Sequence, residues 1–104
     1  MSAVNGSDYV VHTASPVNFS PKHEDELVKP AVDGTRAVLE ACKANKVKRL
    51  VITSSTSAVY FVADENAPGD NTYDESNWTD LNCTIGRTPY VKSKTLAEKA
   101  VWAF

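Results

Sequence analysis

Tyr90 and Lys94 put a phenol and an ammonium four residues apart in Tyr90-Val91-Lys92-Ser93-Lys94. Residues at i and i+4 of a helix share a face, so both side chains can address one target. A free tyrosine ionises only near pH ~10, and a cation beside it favours the phenolate, which brings the phenol toward general acid or base work. Alone, such a pair is more often a solvated helix face with a half-buried Tyr and a surface Lys. Its meaning depends on which other groups reach the same place. One candidate is the hydroxyl cluster Ser54-Ser55-Thr56-Ser57, which directly follows an apolar run of strand length.

The elements that must position these groups follow from the apolar pattern. Residues 9–13 form a β-branched and aromatic run ended by Ala14-Ser15-Pro16, as a buried strand stopping in a small-residue turn would be. Residues 24–46 carry Leu27, Ala31, Val38 and Ala41 at helical spacing, with Gly34 on the same stripe as a flat spot for close packing. Pro30 has no backbone donor, so it is expected in the first turn of the main helix or at a kink. Lys43, Lys46 and Lys48 suit a helix C-terminus. Residues 47–53, with Leu50-Val51-Ile52, read as a second strand. Strand, helix, strand implies a right-handed crossover between parallel strands. Both strand ends then lie on one sheet edge, where parallel α/β sheets bind ligands.

Residues 58–62 are short and apolar, and residues 63–72 form a loop by composition. Residues 73–80 are polar with two large aromatics, Tyr73 and Trp78. Thr88 suits an N-cap and Pro89 the first position of a last helix. Ser93, Leu96, Ala97, Ala100, Val101 and Phe104 make its expected packing face, with Tyr90 and Lys94 beside it.

The composition excludes several classes of function. With 104 residues, 42% apolar and 23% charged, the chain has the make-up of one ordinary globular domain. A formal charge of −2 without a run of Lys or Arg leaves nothing to track a phosphate backbone, so no nucleic acid partner is expected. No apolar run approaches ~18 residues and no secretory signal is visible, which gives no membrane partner and a cytoplasmic default. Cys42, Cys83, His12 and His23 show no ligand spacing, so reduced thiols and no metal site are expected. Four Asn-x-Ser/Thr triplets, at Asn5, Asn18, Asn77 and Asn82, carry no weight without that signal.

Taken in order, the motifs closely resemble the extended short-chain dehydrogenase/reductase superfamily, also called the NAD-dependent epimerase/dehydratase superfamily. Within it they look most like the dihydroflavonol reductase, cinnamoyl-CoA reductase and yeast-type methylglyoxal reductase branch. The residues that carry the likeness are His12-Thr13-Ala14-Ser15-Pro16, Lys29-Pro30-Ala31-Val32-Asp33-Gly34-Thr35, Thr53-Ser54-Ser55, Tyr73-Asp74-Glu75-Ser76-Asn77-Trp78 and the stretch 90–99. The resemblance implies an α/β fold, part of a doubly wound Rossmann-type parallel sheet. It also implies an NAD(P)-dependent oxidoreductase that reduces the carbonyl of a small-molecule aldehyde or ketone to an alcohol. The family's catalytic serine, tyrosine and lysine fall on Ser55, Tyr90 and Lys94, which should converge at one sheet edge around a space fit for a carbonyl. Thr13, Ala14, Ser15, Thr53 and Ser54 would line the cofactor together with Tyr90 and Lys94, and NADP is favoured over NAD by the resemblance.

The family's Gly-x-x-Gly-x-x-Gly turn is expected about sixty to seventy residues before His12. The four glycines, Gly6, Gly34, Gly69 and Gly86, cannot build it. Residues 1–104 therefore read as the central part of an NAD(P)-binding Rossmann-type domain, a fragment lacking the first strands and the C-terminal substrate region, and inactive by itself. Two other readings stand beside the reductase. A nucleotide-sugar epimerase or dehydratase, or a 3-beta-hydroxysteroid dehydrogenase, shares the Tyr and Lys, and residues 54–60 loosely echo a Ser-Ser-x-x-Val-Tyr pattern. Residues 74–78 and Trp102 speak against the sugar enzymes. The third reading is a truncated relative that is inactive or binds a partner. The oligomeric state is left open.

Overall fold

The computed structural model describes residues 2–62, 67–70 and 72–104. The expected loop 63–72 lies partly outside them, at 63–66 and 71. After a 3-10 turn at Ser2–Val4 come strand β1 (Tyr9–His12), helix α1 (Asp25–Ala44), strand β2 (Arg49–Ile52), a 3-10 turn at Thr56–Ala58 and helix α2 (Pro89–Trp102). β1 and β2 pair in parallel, Tyr9 opposite Arg49 through His12 opposite Ile52, with α1 as the crossover. The Thr53 amide extends the ladder by donating to His12 O at 3.0 Å.

Among the described residues the strands are covered on one side. Val10 and Leu50 pack with Val4, Val38, Ala41, Cys42 and Val47 into the core beneath α1. Alternate residues point the other way, and Tyr9 and Val11 are each 68% exposed. The expected buried strand is thus a half-buried one. An unbroken β-branched run cannot distinguish covering on one face from covering on two.

α1 buries Leu27, Ala31, Thr35, Leu39, Ala41 and Cys42. Its acidic first turn, Asp25 and Glu26, and basic last turn, Lys43, match the helix dipole. Pro30 sits inside the helix past its first turn, in a longer helix as one of its two expected placements has it, because burial of Leu27 and Ala31 extends the helix ahead of it. One detail differs from the sequence expectation. Gly34 is exposed, with open space where a Cβ would stand, and Thr35 takes the buried position between Ala31 and Leu39. The helix ends when Lys46 turns left-handed (φ 54), and Lys46 and Val47 amides donate to Lys43 O and Cys42 O. Cys42 and Cys83 are free thiols, and burial pushes the Cys42 thiol up from its ordinary value.

α2 starts where Thr88-Pro89 places it, although the Thr88 hydroxyl donates back to Ile85 O instead of capping. It packs on α1, with the Lys92–Glu24 ion pair at 3.0 Å at their margin. Its buried residues are Val91, Ser93, Lys94 and Thr95. The expected packing face shifts accordingly: Leu96, Ala97 and Ala100 are half-buried, and Lys94 belongs to the buried set. Ser93 and Thr95 satisfy their hydroxyls on Tyr90 O and Val91 O, so burying them leaves no orphaned donor. Among the described residues no helix is long and apolar enough to cross a membrane.

Candidate functional site

Parallel pairing brings the ends of β1 and β2 to the same sheet edge, so Thr13-Ala14-Ser15 and Thr53-Ser54-Ser55 leave it side by side. Above this edge runs α2. Lys94 is 8% exposed, and its Nζ donates to Thr53 O at 3.2 Å. The two remaining ammonium donors face a cleft of about 300 Å³ whose walls include Ala14, Ser15, Thr53 and Ser54. Burial holds the Lys94 ammonium below its ordinary value, and the Glu98 carboxylate partly opposes that shift. A cation kept in a half-enclosed cleft with small side chains around it suits a ligand carrying hydroxyls or negative charge.

Glu98 is a cleft side chain that the sequence reading passes over. It lines the same cleft, accepts the Ser54 hydroxyl on Oε2 and accepts Trp102 Nε1 on Oε1 at 3.4 Å. Its signal is present in the sequence: Tyr90, Lys94 and Glu98 stand at i, i+4 and i+8, one line along a helix.

The other expected site residues lie outside the cleft walls. Ser55 Oγ accepts the Ser57 amide at 3.2 Å, which caps the 3-10 turn at Thr56–Ala58. Tyr90 is half-buried in a shallow groove with Asn18, Phe19, Pro21 and Thr88, its ring centroid 5.7 Å from that of Phe19. Thr13 is exposed at the strand end. Lys94 thus meets Ala14, Ser15, Thr53 and Ser54 in one space, while Tyr90 opens onto an adjoining surface at the start of the same helix. The turn at 56–58 is held in place by Thr79, which donates its hydroxyl to Ser57 O at 2.5 Å and its amide to Ala58 O at 2.8 Å. Trp78 lies under Lys99 of α2, 5.3 Å from Nζ to ring centroid. The acidic stretch before it is a closed turn: Asp74 accepts the Ser76 amide and hydroxyl, which hold its carboxyl below the ordinary value. Among the described residues no group of three or more His, Cys, Asp or Glu could hold a metal ion.

The sequence pattern of the 3-beta hydroxysteroid dehydrogenase/isomerase family matches residues 1–103. The chain is 42% identical over 108 residues to a dihydroflavonol 4-reductase of Arabidopsis thaliana, covering 98% of this chain and 27% of that protein. It is 44% identical over 102 residues to cinnamoyl-CoA reductase 1 of Arabidopsis thaliana, covering 97% of this chain and 28% of that protein. Among solved structures it is similar to yeast methylglyoxal/isovaleraldehyde reductase Gre2 complexed with NADPH, with a TM-score of 0.80 and 33% identity over 99% of this chain and 32% of that one. The α/β architecture with its parallel strand pair matches part of that Rossmann-type fold. The chain spans less than a third of the length of each of these relatives.

Proposed function

The chain belongs to the 3-beta hydroxysteroid dehydrogenase/isomerase family, and we propose that residues 1–104 are the central part of the NAD(P)-binding domain of a carbonyl reductase. The observation that carries this reading is the buried Lys94 ammonium, anchored on Thr53 O at the carboxyl ends of two parallel strands with donors to spare. That arrangement fits the ribose of a dinucleotide, whose vicinal hydroxyls would replace water on Nζ. Ala14, Ser15 and Ser54 line the same cleft with side chains small enough to admit it. NADP is preferred over NAD because the Gre2 relative is complexed with NADPH.

When bound, the reduced nicotinamide supplies the hydride that the carbonyl carbon takes up. This chain's residues handle the oxygen. Ser55 donates a hydrogen bond to it, and Tyr90 gives it the proton that completes the alcohol, leaving a phenolate that solvent reprotonates. Lys94 fixes the ribose and stabilises the phenolate. Residues 1–104 contain no glycine turn able to cradle a pyrophosphate, so we expect them to bind NADPH only alongside a segment that provides one. A hydroxysteroid dehydrogenase, the activity in the family's description, is the second reading; dihydroflavonol and cinnamoyl-CoA reductase relatives above 40% identity weigh for the first.

The test is NADPH-dependent reduction of an aldehyde, ketone and dihydroflavonol panel by the full native protein. Tyr90→Phe should lower kcat roughly 10²–10⁴-fold with NADPH affinity nearly unchanged, whereas Lys94→Ala should weaken both. Equal loss of cofactor affinity in the two variants would assign Tyr90 to binding and remove it as the acid.

A further inference from the structure

Glu98 stands one helical turn beyond Lys94 and faces the same cleft, yet the two make no direct ion pair. The carboxylate is occupied elsewhere. Ser54, at the end of β2, donates to Oε2, and Trp102, one turn further along α2, donates to Oε1. A carboxylate free to rotate would close on a buried ammonium and take its donors. Here hydrogen bonds on both oxygens hold it back, close enough for its field to act and too far to compete. We propose that Glu98 is a positioning residue: clamped by Ser54 and Trp102, it sustains the buried Lys94 cation while leaving the ammonium donors for the cofactor ribose. The inference rests on the reading of Lys94 given above and deepens it.

The charges that face Lys94 are few. On α2 itself there is Glu98, with Tyr90 at the helix start. β1 contributes His12, and β2 leads into the Thr53 carbonyl. α1 contributes only the uncharged Thr35 and Leu39. Removing the Glu98 charge therefore acts on the cation with little compensation from elsewhere.

The test is the pH profile of kcat/KM for NADPH in the full native protein. Glu98→Gln retains shape and an acceptor but loses the charge. Its alkaline limb, set by the Lys94 ammonium, should move to lower pH, because the buried cation loses the carboxylate that opposes its desolvation. Ser54→Ala frees the carboxylate to close on Lys94, so the limb should move up and KM for NADPH should rise severalfold. An unmoved limb in Glu98→Gln, or the same direction in both variants, overturns the proposal. Should Glu98→Gln fail to fold, the upward limb of Ser54→Ala decides alone, and its absence overturns the role. Full activity in both Lys94→Ala and Tyr90→Phe would overturn the reductase reading and this inference with it. Loss in those two with an unmoved Glu98→Gln limb overturns the Glu98 role only.

Discussion

Lys94 Nζ donates to the backbone oxygen of Thr53 across forty-one residues of sequence, at 3.2 Å. The bond fixes the start of α2 over the end of β2, and it does so with a group that folding takes out of water. Lys94→Met should keep the stem's packing and abolish cofactor binding, while leaving the protein at least as stable at neutral pH, because the cost of burying the ammonium disappears. The pH dependence has a definite sign. Burial lowers the folded-state value of Lys94 below 10.5, so between that lowered value and 10.5 the unfolded chain binds more protons and wild-type stability rises with pH. The difference between Lys94→Met and wild type should therefore narrow as pH climbs through that window. Thermal denaturation across the alkaline range measures it, and a widening difference would contradict the burial argument.

Ser55 Oγ accepts the Ser57 amide as a turn cap, so one substitution cannot separate that contact from the carbonyl-donor role proposed above. Ser55→Ala should lose about 0.5–2 kcal/mol of stability along with activity. Ser55→Asp keeps an acceptor for the cap and should recover the stability, while its carboxylate cannot donate to a carbonyl oxygen. Recovery of activity in Ser55→Asp would show that Ser55 acts only as a cap.

Gly86 and Gly34 should answer the same substitution with opposite signs. A Cβ on Gly86 would run into Asp80 O and stand 2.8 Å from Asp80 C and 3.1 Å from Cys83 Sγ, two of these being backbone atoms that cannot step aside. Gly86→Ala should destabilise by about 1–3 kcal/mol and, because this turn leads into Tyr90, also reduce kcat. Gly34 lies exposed inside α1 with open space around it, and Gly34→Ala should stabilise by roughly 0.5–1 kcal/mol. Chemical denaturation of both variants checks the pair.

The helices were legible in the sequence because Leu27, Ala31, Val38 and Ala41 recur at helical spacing and Thr88-Pro89 marks a start. What escaped has a common cause: polar residues in buried positions. Thr35 completes the buried line of α1, but a scan for apolar residues skips it and picks Gly34 instead. Lys94 is legible as a site residue, but its burial is not, since that depends on Thr53 O giving the ammonium a partner. The crossover logic brought Ala14, Ser15, Thr53 and Ser54 to one edge from strand order alone. The Ser54–Glu98 bond could not be read that way, since it depends on how α2 is rotated about its own axis, and forty-four residues of chain separate its partners.

Lys46 offers a stability test independent of the site. α1 ends with the Val47 amide on Cys42 O at 3.0 Å and the Lys46 amide on Lys43 O at 3.2 Å, a paired closure that requires the intervening residue to be left-handed. Lys46 meets the requirement at φ 54, in a region that costs a side chain with a Cβ about 1–2 kcal/mol. Its side chain is exposed and enters none of the ion pairs among the described residues, so little is lost by removing it. Lys46→Gly relieves the strain but gives the unfolded chain more freedom, which offsets part of the gain. The net expectation is a stabilisation of about 0.5–1 kcal/mol with kcat and KM unchanged. Lys46→Ala is the matched control, since it removes the same charge and stem and keeps the Cβ. Equal midpoints for the two variants in chemical denaturation would show that backbone strain at this helix end contributes nothing.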